Sequence, residues 1–232
     1  MKGKKKNNIY AVVFLMIVIV AVFISLNSGS NHILQIDSPE KDISVFLDNK
    51  EAKIEIVDGL VNVKVNPGIH NILVAKPTFW PWFEEIEIDE ETENISIPFL
   101  IKEIPDTEEI AKESAEYNNI AVFFEEEPST EKISKDGSTR AWFEDTFLFV
   151  QAGEKTYRVL ENIDSVNNME FYKDRNDALI VALGNSVFVI QANREDEQNF
   201  QPIFEGVEPD FRVKDKNSIY IKDGENIYTV SI

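Results

Sequence analysis

Apolar and polar positions change period three times along this chain. Ile9 to Leu26 form an unbroken uncharged run of eighteen residues, and a helix of that run, at ~1.5 Å per residue, approaches the ~30 Å hydrocarbon thickness of a bilayer. Asn27–Asn31 then breaks the pattern with a polar stretch. From Asp42 the period becomes two: Ile43, Val45 and Leu47 alternate with Ser44 and Phe46, and Ala52, Ile54 and Ile56 alternate with charge. Asp48-Asn49-Lys50, Val57-Asp58-Gly59 and Asn66-Pro67-Gly68 carry turn chemistry between the strands so defined. Further strands are predicted through Leu60–Val65, Ile72–Val74, Phe83–Ile88 and Asn94–Phe99. Between Ile104 and Tyr117 the period becomes helical, with Asp106 at the N-cap position and Glu109 three residues on. From Asn119 onward the chain reads as strand again, beginning with Ile120–Phe124.

A repeat runs through this last part. Lys135-Asp136, Lys173-Asp174 and Lys214-Asp215 recur at spacings of 38 and 41, each ahead of two predicted strands. The strand pairs are Thr139–Phe143 with Phe147–Gln151, Ala178–Ala182 with Ser186–Gln191, and Ser218–Ile221 with Asn226–Val230. The third copy stops after two strands. Two and a half units cannot close a propeller of ~4–8 blades. Three outcomes follow: an open stack, completion of the last unit by Ile120–Phe124 pairing with Asn226–Val230, or cover of the open edge by a partner chain.

Charge fixes the orientation of the apolar run. Lys2, Lys4, Lys5 and Lys6 precede it and acid follows, so a spanning helix leaves the N-terminus in the cytoplasm and the remainder outside. A cleaved signal peptide is the rival reading, with Ser28-Gly29-Ser30 as its cleavage site, but its apolar core is ordinarily ~7–15 residues. The chain has 23 basic and 42 acidic residues; removing the four lysines of the head leaves 19 basic residues and a formal charge of −23 beyond it. Such a surface repels polyanions, which argues against nucleic acid and against adhesion to anionic lipid. There is no cysteine, so thiol catalysis, cysteine metal sites and lipid acylation of a cysteine are excluded.

Three segments resemble the PEGA domain, a small β-sandwich-like module of extracytoplasmic proteins. They are SVFLDNKEA (Ser44–Ala52), NPGIHNILVAK (Asn66–Lys76) and FWPWFEEIEI (Phe79–Ile88). The usual Gly-x-Thr-Pro segment is replaced by Ile56-Val57-Asp58-Gly59, and the usual Gly-Tyr by Thr78-Phe79-Trp80. Ser134–Gly153, SKDGSTRAWFEDTFLFVQAG, resembles the repeat unit of β-propellers of the TolB or WD-like type. The expected fold is therefore mostly β: a basic head (1–8), a transmembrane helix (9–26), a linker (27–41), a PEGA-like β-sandwich (42–101), a linking helix (102–118) and an incomplete propeller-like repeat domain (119–232).

Candidate chemistry is sparse. With only His32 and His70, no paired metal histidines and no Ser-His-Asp set can be drawn, so no catalytic, cofactor or metal residue is assigned. Glu125–Glu127, Glu144-Asp145 and Glu195–Glu197 lack the spaced ligands and glycine of a calcium loop and read as solvated faces. Asp136, Asp174 and Asp215 read as turn aspartates that bond backbone N–H groups. His70 reads as a packing or hydrogen-bonding residue of its own module. Trp142 and Phe143 read as core. Phe79, Trp80, Trp82 and Phe83, around a proline-rich turn, are the candidate partner-binding residues, against the plainer reading that they close the end of a core.

The expected function is that of a membrane-anchored, extracytoplasmic, non-catalytic binding or scaffold protein of the cell envelope. It would present its modules to a protein or cell-wall glycan, with oligomerisation through open sheet edges a further option. The alternatives are an envelope enzyme acting on glycan and a passive spacer in a membrane complex. Adjacent Glu144 and Asp145 point to opposite faces of a strand, which defeats the paired geometry of a glycosidase.

Overall fold

The computed structural model describes residues 32–89, 94–161, 166–194 and 198–232. The apolar run Ile9–Leu26 and the acidic run Glu195–Glu197 lie outside them. Among the described residues no helix is long and apolar enough to cross a membrane. The architecture of the described residues is mostly β, made of five four-stranded sheets. They fall into two units: the chain up to Val74 with Phe83–Pro98, and Ala75–Trp82 with Phe99–Ile232. Of the expected 42–101 module, residues 75–82 and 99–101 group with the larger unit and the rest with the smaller.

The smaller unit opens with β1 (His32–Ile36), a strand in the segment expected to be linker. Leu34 and Ile36 are fully buried there, and β1 lies inside its sheet, antiparallel to β5 (Leu60–Val65) and parallel to β8 (Asn94–Ser96). The polar residues on either side of His32–Ile36 masked this short alternation. β4 (Ile54–Val57) completes that sheet against β5. The second sheet runs β3 (Lys50–Glu51), β2 (Ser44–Leu47), β6 (Gly68–Ala75) and β7 (Trp82–Ile88). Val45, Val61, Val63, Val65, Ile72 and Val74 are buried at alternate positions, as period two requires.

The turns expected from sequence form. Asp48 and Asn49 both take positive φ between β2 and β3, and Asp58 with Gly59 does the same between β4 and β5, the handedness that a tight hairpin demands. His70 bridges two turns: Nδ1 lies 2.8 Å from Asp48 Oδ2 and Nε2 lies 2.9 Å from the Asn66 carbonyl. Of the two roles expected for it, packing or hydrogen bonding, the second is the one these contacts make. That bond, together with the Asn71 N–H, lowers the Asp48 carboxyl below its usual range.

In the larger unit β9 (Thr107–Glu109) lies where a helix was expected. The helix starts later, as α1 (Ala115–Ala121), capped by the Ser114 hydroxyl on the Tyr117 N–H and followed by a 3₁₀ turn, Val122–Phe124, where a strand was expected. Three sheets follow. The first is β10 (Glu131–Ile133), β11 (Thr139–Glu144), β12 (Phe147–Ala152) and β13 (Lys155–Leu160). The second is β14 (Asn168–Phe171), β15 (Ala178–Leu183), β16 (Ser186–Gln191) and β17 (Phe200–Glu205).

The third sheet corrects the expectation of a half unit. β18 (Asp210–Asp215), β19 (Ser218–Asp223) and β20 (Asn226–Ser231) are joined by β9, which pairs antiparallel with β20, Thr107 opposite Val230. The completing strand is Thr107–Glu109, not Ile120–Phe124. Thr-Glu-Glu has no apolar alternation and all three residues are exposed, so pairing at a sheet edge, and not propensity, makes it a strand.

The second sheet is the filling of this stack. Every residue from Ala178 to Ala182 is buried, so β15 is covered on both faces. Leu179, Val181, Phe188 and Ile190 pack with Ala141, Leu148, Val150 and Val159 of the first sheet. Phe204 meets Tyr228 of the third at 5.3 Å. The first strands of the three sheets are also bonded: Lys132 Nζ to Glu170 at 2.9 Å, and Asn168 Nδ2 to the Phe211 carbonyl at 2.6 Å.

Candidate functional site

Phe79, Trp80 and Trp82 belong to the larger unit and Phe83 to the smaller. Residues 78–80 run alongside 101–103: the Trp80 N–H donates to the Ile101 carbonyl at 2.8 Å and the Glu103 N–H to the Thr78 carbonyl at 2.9 Å. Gln201, a buried residue of β17, holds both segments. Its Nε2 donates to the Pro81 and Phe99 carbonyls at 3.3 and 3.2 Å, and its Oε1 accepts the Ile101 N–H at 2.8 Å. A glutamine is needed because donor and acceptor must be met by one side chain in a dry place. Trp82 is only 2% exposed, and the others are half-buried. Trp80 Nε1 and Trp82 Nε1 are buried without an acceptor among the described residues. Phe83 instead lines an apolar cleft of about 210 Å³ with Phe46, Ile72 and Leu73.

Members of the three repeated Lys-Asp pairs, without Asp136 and Lys214, gather where the three first strands meet. Lys135, Lys173, Lys216, Asp174 and Asp215 line a cleft of about 420 Å³ with Ile133 and Val213 exposed at its wall. Asp136 makes the expected turn, accepting from the Ser138 N–H at 3.0 Å, and Asp215 does so from the Asn217 N–H at 2.8 Å. The Ser134 hydroxyl, first, and then the Ser138 N–H and hydroxyl hold the Asp136 carboxyl down at about 2. Asp174 departs from the pattern. It and Lys173 both take positive φ, and its carboxylate receives Lys135 at 2.8 Å from the first sheet and Lys216 at 3.6 Å from the third. The lysine bond lowers its carboxyl below the usual value. Asp174 is a cross-link between repeats.

The outer faces of the stack differ. On the third sheet Ile227 and Tyr220 are covered by Ile110, Tyr117, Ile120, Ala121 and Phe124. Arg212 fastens that cover: Nε donates to the Phe123 carbonyl and Nη2 to the Glu126 carbonyl, both at 2.8 Å, while the guanidinium lies 4.9 Å from the Phe124 ring centre. On the first sheet no described helix covers the outer face, which carries a continuous aromatic row. Trp142 stacks on Phe149 at 5.4 Å and Phe149 meets Phe147 at 5.8 Å. Arg140 lies 4.9 Å from the Trp142 ring centre, and Arg158 lies 5.4 Å from that of Phe147.

Polar atoms on this face are bonded in place. Arg140 makes two 2.8 Å bonds to Glu131, and Trp142 Nε1 donates to Glu144 at 3.1 Å. The guanidinium lowers the Glu131 carboxyl below its ordinary range. Trp142, expected in the core, is half-exposed here, whereas Phe143 does pack on the buried cluster. Alternation carried the signal: Trp142 shares phase with Arg140 and Glu144, both charged, and opposes Ala141. Glu144 is bonded to the indole and Asp145 occupies a left-handed turn position (φ 56°). No group of three His, Asp or Glu side chains suited to a metal occurs among the described residues. No protein-family model matches the chain, and no curated protein matches it in sequence.

Proposed function

We propose that this chain is a membrane-tethered binding or scaffold protein of the cell envelope that acts by contact and not by catalysis. In this reading Ile9–Leu26 crosses the bilayer once, the lysine head stays in the cytoplasm and the β units act outside. The smaller unit is a PEGA-like sandwich, a reading supported by its two four-stranded sheets and by the turn-bridging His70. The larger is a three-bladed, open propeller-like stack, supported by three successive four-stranded antiparallel sheets whose first strands adjoin.

The observation that carries the binding reading is the outer face of the first blade. Tryptophan and arginine are enriched among the residues that carry binding energy and phenylalanine is enriched at interfaces, and here the polar atoms are already bonded, so docking costs little side-chain ordering. The test is photocrosslinking of the full chain in intact cells, with the crosslinker at Gln151, combined with protease added outside. A crosslinked protein or glycan and external digestion of the β units support the proposal. Protection of those units from external protease refutes the topology, and turnover of a glycan by the purified chain refutes the non-catalytic reading.

A further inference from the structure

The register of the first sheet places four residues in one row across its strands: Glu131 on β10, Trp142 on β11, Phe149 on β12 and Arg158 on β13. Directly paired residues point to the same side of a sheet, so the row is acid, aromatic, aromatic, base on the uncovered face. Reversed, it complements itself. Take a two-fold axis that lies in the contact plane, runs along the strands and passes between β11 and β12. It sets Glu131 over the partner's Arg158, and Trp142 over the partner's Phe149. We infer that the outer face of the first sheet is a two-fold contact between two copies of this chain.

Charge selects this occupant. The chain has a formal charge of −19, so two copies repel over most of their surface, yet this face carries two arginines, Arg140 and Arg158, ion-paired on their own copy to Glu131 and Glu161, with Glu144 bonded to the Trp142 indole. The face is thus close to balanced, with an acid–base pair at each end of the row, and an isologous contact sets one pair over the other. The opposite end of the stack cannot serve, because Ile110, Tyr117 and Ile120 already cover it.

Size sets the strength. Four strands ~4.8 Å apart and six residues at ~3.3 Å give a footprint of about 19 by 20 Å, below the ~800 Å² per partner of a standard interface. The contact therefore belongs to the weak class. Tethering in one membrane, which rests on the function proposed above, raises the effective concentration and makes a weak contact count.

The experiment uses the full chain in detergent micelles. Its mass is measured over a range of concentrations, and a Gln151→Cys variant, which carries the sole thiol in an otherwise cysteine-free chain, is treated with a short bis-maleimide. The expected result is a concentration-dependent dimer and an efficient crosslink between the introduced thiols of the two copies. Arg158→Glu, at an exposed position, weakens the dimer at least about tenfold, and adding Glu131→Arg together with Arg140→Glu, which keeps that cross-strand ion pair, restores most of it because the row is then reversed but still complementary. A monomer at all concentrations without crosslink overturns the inference, and so does a dimer indifferent to both charge changes. Photocrosslinking in cells separates the two proposals. A different protein captured at Gln151 removes the second copy and keeps the binding reading, whereas no capture at all removes both.

Discussion

The two ends of the three-sheet stack solve the same problem differently. A sheet whose inner face is packed still has an outer face to shield, and the third sheet shields it with chain from upstream: β9 extends the sheet and α1 lies over Ile227. The first sheet has no such cover among the described residues and shields itself with side chains, each ring of its row stacked on a ring or a guanidinium. A backbone cap makes an end final, because it removes both the face and an edge from solvent. A side-chain cap leaves a pre-ordered surface that a partner can still use. Stack architecture thus separates an end shielded by backbone from an end shielded by side chains.

The strongest way to break this comparison is at the covered end. Ile227→Ala, at a fully buried position under α1, is expected to cost about 3 kcal/mol in denaturant unfolding, with the loss concentrated in the third sheet. A loss under ~1 kcal/mol would show that the helix does not shield the sheet. Next comes Arg212→Met, which removes the donors to the Phe123 and Glu126 carbonyls and is expected to cost about 2 kcal/mol. Hydrogen exchange should rise first in Ala115–Phe124. Phe149→Ala at the open end is expected to cost only about 1 kcal/mol, since the ring is half-exposed. That cost grows with protein concentration if the face is a dimer contact.

The smallest effect is electrostatic and lies between the ends. Asp136 and Asp174 have carboxyls held below the ordinary value of 3.8, Asp136 at about 2. Their contribution is complete above the unfolded value and disappears as pH falls from near 4 toward 2. Acid titration followed by tryptophan fluorescence should show a shallow loss in that window, reduced by Asp136→Asn. A loss centred near neutral pH would contradict these assignments.

Most strands were legible because their alternation is complete within a few residues. Ala178–Leu183 and Ser186–Gln191 stand out as apolar runs bounded by turns, and the structure buries them on both faces. What escaped was decided by distant chain. Thr107–Glu109 has no strand signal of its own and becomes one by pairing with β20. Gln201 looks like any polar strand residue until two remote segments bring it three backbone groups to bond. The aromatic turn Phe79–Phe83 was conspicuous by composition, and composition does not report that Trp82 is buried. The row from Glu131 to Arg158 was out of reach for a different reason: it requires the register of four strands, which no single segment encodes.

The seam between Thr107–Glu109 and β20 also sets a clock. Thr107 and Val230 pair across 123 positions, so at ~5–20 residues per second a ribosome makes the first partner roughly six to twenty-five seconds before the second. Through that interval the acidic Thr-Glu-Glu segment waits without its mate, soluble by charge and indifferent to premature pairing. The third sheet therefore closes last, and only a pause in translation after β19 has been made lengthens the time its edge waits for β20.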